Sequence, residues 1–176
     1  MQEYVTHAVV LDKMARNDAD ARYAFFTQRY GKIAARAKSS RKIVSKLAGH
    51  LEPGTLAAVR IIEQHGAQVV DALSAGAVAI PMRDLSALSN LLPEWQPDAE
   101  LWHEITKHHS AAGDGAMWTW KNALAILGWD PRGAICTRCH TAARAAAYFY
   151  MPRQEFFCAS CTAASRFVKN DLLLIS

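Results

Sequence analysis

The most specific chemical signal in the chain is a set of four cysteines. Cys136-Thr137-Arg138-Cys139 and Cys158-Ala159-Ser160-Cys161 form two C-x2-C pairs separated by 18 residues. Two residues between thiolates let one turn offer both sulfurs to a single ion, and two such turns complete the tetrahedral four-sulfur shell of structural Zn2+. With sulfur at every corner no coordination position stays open, so the expected zinc is structural and not catalytic. An ion held this way contributes roughly 10–16 kcal/mol in small zinc peptides, enough to decide whether a short segment folds. The same ligand set serves an iron–sulfur cluster. Cys136 to His140 also spells C-x-x-C-H, the haem-attachment sequence, but haem there leaves the second pair unexplained.

A second constellation is electrostatic. No Asp or Glu occurs between Asp20 and Glu52, a window that holds Arg22, Arg29, Lys32, Arg36 and Lys38, then Arg41, Lys42 and Lys46. These eight basic residues give the window a charge of +8, whereas the remainder, with 12 basic and 16 acidic residues, carries −4. A net charge of +4 that hides such a polarity is the footprint of a polyanion site.

Catalytic motifs are near misses. Gly49 to Gly54 begins like a phosphate-binding loop, but Thr55 stands where lysine must reach the phosphates. His103-Glu104-Ile105-Thr106-Lys107 approaches the H-E-x-x-H zinc helix, yet the second histidine arrives one place late, at His108. His103, His108 and His109 therefore read as a polar helix face, and the chain is expected to be no enzyme.

The elements that must position these residues change character halfway. Tyr4–Met14 is a β-prone run, Arg22–Tyr30 another, and in Lys32–Lys38 the residues Ile33, Ala35 and Ala37 alternate with Lys32, Arg36 and Lys38. Alternation places those three cations in a row on the solvent face of one strand. Ser39–Gly49 is more helix-like, and after the turn at Glu52-Pro53-Gly54, Thr55–Glu63 and Ala67–Leu73 read as two strands joined at His65-Gly66. Five short strands with a longer insertion between the third and fourth predict a small OB-type barrel over residues 1–78. Residues 79–176 are expected to form a helical domain: Met82–Leu92, Asp98–His109 and the Met117, Trp120, Leu124, Leu127 series have helical spacing, and Val168, Leu172 and Ile175 suggest a closing helix. All five tryptophans lie in this half, where the spacing assigns them to a helix-bundle core. Ala147–Tyr150, a turn at Met151–Gln154 and Glu155–Phe157 predict a hairpin between the cysteine pairs, so the ribbon spans residues 134–163. The fold class is thus α+β.

Hydrophobic content of 51% and charged content of 20% suit a folded chain. The N-terminal residues lack the pattern of an export signal, and no apolar run approaches the roughly 18 residues of a membrane span. A cytoplasmic location is expected, where paired cysteines favour a metal over disulfides.

The run Phe26-Thr27-Gln28-Arg29-Tyr30-Gly31-Lys32, followed by Ala37-Lys38-Ser39-Ser40-Arg41-Lys42 and Leu51-Glu52-Pro53, resembles the N-terminal domain of the bacterial RecO family. The likeness continues through Ala123–Asp130, Ala147-Tyr148-Phe149 and Phe157–Cys161, with Ser39 standing where the family carries glycine. The resemblance implies an OB-fold, a helical domain and a zinc ribbon with no catalytic centre. It further implies a nucleoid-associated recombination mediator in DNA repair that binds and anneals single-stranded DNA and interacts with RecR and with the acidic tail of single-strand binding protein. Arg29, Lys32, Arg36, Lys38, Arg41, Lys42 and Lys46 are then the phosphate contacts, and Tyr30, with Tyr23, Phe25 and Phe26, offers stacking surface. An RNA-binding or protein-docking adaptor with the same two modules is the alternative.

Overall fold

The computed structural model describes residues 1–15, 20–37, 47–109, 117–143 and 147–175. Lys38, Arg41, Lys42 and Lys46, together with most of the helix-like Ser39–Gly49 stretch, lie outside them. The chain divides into two compact units, Met1–Met117 and Trp118–Ser176.

The first unit is built on five strands: β1 (Gln2–Ala15), β2 (Ala21–Thr27), β3 (Gly31–Ala37), β4 (Thr55–Glu63) and β5 (Ala67–Ala77). They close a barrel in the order β1-β2-β3-β5-β4, with β3 and β5 parallel and the other pairings antiparallel. This is the OB arrangement that the strand count predicts. Alternation fills the barrel: Tyr4, Ala8 and Val10 of β1, Tyr23 and Phe25 of β2, and Ile33, Ala35 and Ala37 of β3 point inward to one buried cluster.

Two places break the alternation. In β1, Val9, Val10 and Leu11 are all fully buried, and in β2 so are Phe25 and Phe26. Val9 and Phe26 stand opposite each other in the β1–β2 register, outside the barrel cluster. Their cover is helical: α1 (Met82–Leu91) packs on β1 and β2, and the Trp102 ring of α2 (Ala99–Thr106) lies 6.2 Å from that of Phe26. A strand buried on both faces must be apolar on both, which is why these stretches read as continuous apolar runs. Asp98 caps α2 by accepting from the Leu101 backbone N–H at 2.9 Å.

The expected helix bundle is therefore corrected: α1 lies on a sheet. The polar histidine face also fails, because His108 is only 5% exposed, with Nε2 3.8 Å from the Glu104 carboxylate. Trp95 is likewise no core residue; it is 38% exposed, at φ 60°.

The second unit contains α3 (Trp120–Ile126), β6 (Ala147–Tyr150), β7 (Glu155–Phe157), α4 (Ala159–Ala163) and β8 (Leu172–Ile175). Trp118 and Trp120 are buried, as expected. The predicted hairpin forms with Gln154 at φ 57° in its turn. The closing helix does not: β8 pairs antiparallel with β6, giving a three-stranded sheet in the order β7-β6-β8. Leu173 and Ile175 are buried while Val168 and Leu174 are exposed, a period of two, so the helical spacing from Val168 was fortuitous.

Candidate nucleic-acid face and metal centre

The outer face of β2 and β3 differs from end to end. At one end Phe26 pairs with Lys32, and both are engaged by the helical segment: Phe26 by Trp102, and Lys32 through Nζ, which donates to the Ser89 carbonyl at 2.8 Å. The Trp95 backbone N–H donates to the Lys32 carbonyl at 2.9 Å. Ala24 faces Ala34 in the middle. At the other end Arg22 stands directly opposite Arg36. Like charges across a ladder are destabilising, and among the described residues no carboxylate forms a salt bridge with either guanidinium. Arg36 Nε is shielded from solvent without a hydrogen-bond partner. A shielded cationic donor beside a second cation is a place made for an anion.

Of the cations predicted from sequence, β3 thus carries Lys32 and Arg36 on its outer face, as alternation required, and Arg29 is exposed in the β2–β3 turn. Tyr30 is half-buried, its ring 4.9 Å from that of Tyr4. The suggested stacking by Tyr23, Phe25 and Phe26 is corrected, since all three are 0% exposed. Arg22 is one of the eight cations of the window, and alternation through Tyr23 and Phe25 puts it on the outer face.

The register also continues the row beyond Arg36. Arg36 pairs with Gln68 of β5, Gln68 with Ile62 of β4, and Ile62 with Glu3 of β1. Beside this row lies a cavity of about 280 Å3 whose lining includes Arg36, Ile62, Gln64, His65, Gln68 and Val70. No spacing rule marks these residues; only the barrel register brings them together.

In the second unit the ribbon positions four sulfurs. The first knuckle is clamped by backbone bonds: the Cys136 N–H donates to the Thr141 carbonyl, the His140 N–H to the Cys136 carbonyl at 2.8 Å, and the Thr137 N–H to the Phe156 carbonyl of β7. His140 takes φ 58°, the left-handed conformation that such a turn demands at the residue after its second cysteine. The second knuckle begins at Cys158, the N-cap of α4, and Cys161 lies on that helix. Arg138 links the two, donating from Nη1 to Ser165 Oγ at 2.9 Å. Beneath the knuckles the ring of Phe149 packs against Trp129 and Phe156, at 5.3 and 5.2 Å.

All four sulfurs lie within 4.8 Å of one another, with Cys139 and Cys158 3.8 Å apart. Four thiolates about 2.3 Å from one central ion sit about 3.8 Å from each other, so the cluster fits a tetrahedral metal. Its titration points the same way. Burial opposes charge on Cys136, but backbone N–H groups of Cys158, Cys139 and Arg138 outweigh it and hold the thiol down at about 6. Burial and the neighbouring sulfurs push Cys161 up to about 12. Crowded thiols cannot all ionise unless a cation is shared among them.

Comparison with known proteins agrees with this architecture. Residues 1–76 match the family described as "Recombination protein O N terminal". Over 183 aligned residues the chain is 27% identical to the DNA repair protein RecO of Bifidobacterium adolescentis, an alignment that covers 91% of this chain and 74% of that protein. The five-stranded OB barrel is thus similar to the RecO N-terminal domain, and the likeness to a RecO protein, at 27% identity, extends over 91% of this chain.

Proposed function

We propose that this protein binds single-stranded DNA across the outer face of β2 and β3 and anneals complementary strands, acting as a recombination mediator in DNA repair. The observation that carries the reading is the Arg22–Arg36 pair, two guanidiniums side by side that no salt bridge among the described residues neutralises, one of them with a shielded donor. Phosphates supply the missing acceptors, and the strand releases its counterions on binding. Arg29 and Tyr30 flank the face in the β2–β3 turn, and four more cations, Lys38, Arg41, Lys42 and Lys46, follow β3 in the sequence. Annealing then needs no covalent step. Neutralising phosphates on two strands removes their repulsion, and base pairing does the rest.

The relative named as a DNA repair protein supports the same role and, with the family resemblance, extends the proposal to RecR and the tail of single-strand binding protein as partners in the cytoplasm. Among the described residues no helix is long and apolar enough to cross a membrane. The four-sulfur cluster we assign to structural Zn2+, whose tetrahedral preference and thiolate affinity match it.

The test is annealing of complementary strands coated with single-strand binding protein, with and without this protein. Acceleration that is lost on Arg22→Ala with Arg36→Ala supports the proposal, and no acceleration at any protein concentration overturns it. Competition with RNA of equal length separates the DNA reading from an RNA adaptor.

A further inference from the structure

The row of outward residues that crosses the barrel has a chemistry of its own. Moving from β2 to β4 it runs Arg22, Arg36, Gln68, Ile62, each the direct register partner of the one before. Two guanidiniums thus give way to an amide and then to an aliphatic side chain, within one strand-to-strand step each, about 4.8 Å. Beside the last three lies the cavity of about 280 Å3 at the β4–β5 turn. Its walls are of two kinds. Ile62 and Val70 are apolar, whereas Gln64, Gln68 and His65 bring hydrogen-bonding edges. Arg36 belongs both to the cationic pair and to the cavity lining.

A ligand that satisfies all of this has a flat body with apolar faces and polar edges, joined to an anion one step away. One nucleotide unit has that constitution. The volume, just under the roughly 300 Å3 at which drug-sized pockets begin, suits a single ring system and not a large ligand. We propose that this cavity seats one base of the bound single strand while Arg36 holds the adjoining phosphate, so that the strand crosses the barrel from β2 towards β4. The proposal rests on the reading that this face binds single-stranded DNA. It adds that the protein senses bases at one point of its footprint and not phosphates alone. A bulge helps to build the site: the β4–β5 register shifts between Arg60 and Ile61, which leaves Val70 without a partner and turns it to the cavity.

The experiment compares two strands of equal length and charge, an oligothymidylate and its fully abasic analogue, by fluorescence anisotropy. Wild-type protein is expected to bind the thymidylate about 5- to 10-fold more tightly, on the order of one net hydrogen bond to the base. Val70→Phe fills the cavity and Gln68→Leu removes its amide edge; each is expected to bring that ratio to within about twofold of one. Thermal unfolding identifies a variant that has lost its fold, and Gln68→Leu, a substitution on the outer face, carries the test if Val70→Phe does. A ratio that both variants leave unchanged overturns the base pocket while DNA binding stands. Equal affinity of the wild type for the two strands does the same. Failure of the wild type to bind either strand removes the DNA reading and the pocket with it.

Discussion

The backbone of Gly31 lies directly against that of Gln96, so close that a Cβ on Gly31 would fall 2.0 Å from the Gln96 carbonyl oxygen. Gly31 also takes φ 70°, in the left-handed region. The first residue of β3 is therefore the point where the segment after α1 is pressed onto the barrel, and only glycine fits. Thr27 supports it from one turn back: its Oγ1 donates to the Gly31 carbonyl at 2.9 Å and accepts from the Tyr30 N–H at 3.0 Å. Gly31→Ala is expected to destabilise the protein by on the order of 1–3 kcal/mol from backbone strain alone, and by more once Gln96 is displaced. Urea unfolding of the two proteins measures the difference.

Lys32 and Arg36, four residues apart on the same face of β3, are expected to behave differently. Arg36→Ala should lower the slope of log affinity against log salt for single-stranded DNA by about one, the signature of one phosphate contact. Lys32→Met should instead cost about 1–2 kcal/mol of stability by leaving the Ser89 carbonyl without its donor. A salt titration and a denaturation curve on each variant separate the two roles. Equal effects on the salt slope would show that the Lys32 amine reaches the strand despite its bond to Ser89.

The metal prediction concerns the second unit. Chelation, or Cys136→Ser, should abolish its ordered sheet while leaving the barrel folded, seen as partial loss of the tryptophan near-ultraviolet signal together with loss of bound metal. Loading the free protein near pH 7 should release the proton of Cys161, held up at about 12, and little from Cys136, already down at about 6. Protons and metal compete for the same sulfurs, so affinity should fall as pH falls. Arg138→Ala should weaken metal retention without removing a ligand, because it cuts the link to Ser165.

Tyr4 donates from its hydroxyl to Glu63 at 2.9 Å, and burial, that bond and the carboxylate charge raise its pKa above the usual 10.0. A raised folded-state value favours the neutral form, so this contribution is complete below pH 10 and is lost as pH climbs through the folded pKa. Tyr4→Phe should remove the alkaline step in stability between those two values. An alkaline unfolding profile identical in the two proteins would assign that step elsewhere.

How much of this could be read from the residues follows from which interactions are local. Alternation in β3 identified its outer face, and the C-x2-C spacing identified the knuckles, because strand pleat and turn geometry act over a few residues. The Phe26–Lys32 run was visible as a family pattern but not as a role. Phe26 meets Trp102, Gly31 meets Gln96 and Lys32 meets Ser89, all more than 50 residues away, so the motif fastens barrel to helical layer. The Arg22–Arg36 pair and the cavity at Gln68 stayed hidden for the same reason: both depend on register, which a strand's own residues do not state. In Leu172–Ile175 four consecutive apolar residues satisfied a helical and a strand period alike, and pairing with β6 decided between them.

The double burial of β1 and β2 carries a consequence for how the first unit comes apart. Val9 and Phe26 belong to strands whose other faces fill the barrel, so neither the barrel nor the helical layer can dissolve without stripping the other of half its wall. Residues 1–117 should therefore melt as one cooperative block. A fragment ended near residue 78 would leave Val9 and Phe26 bare to water and gather into aggregates through that apolar stripe.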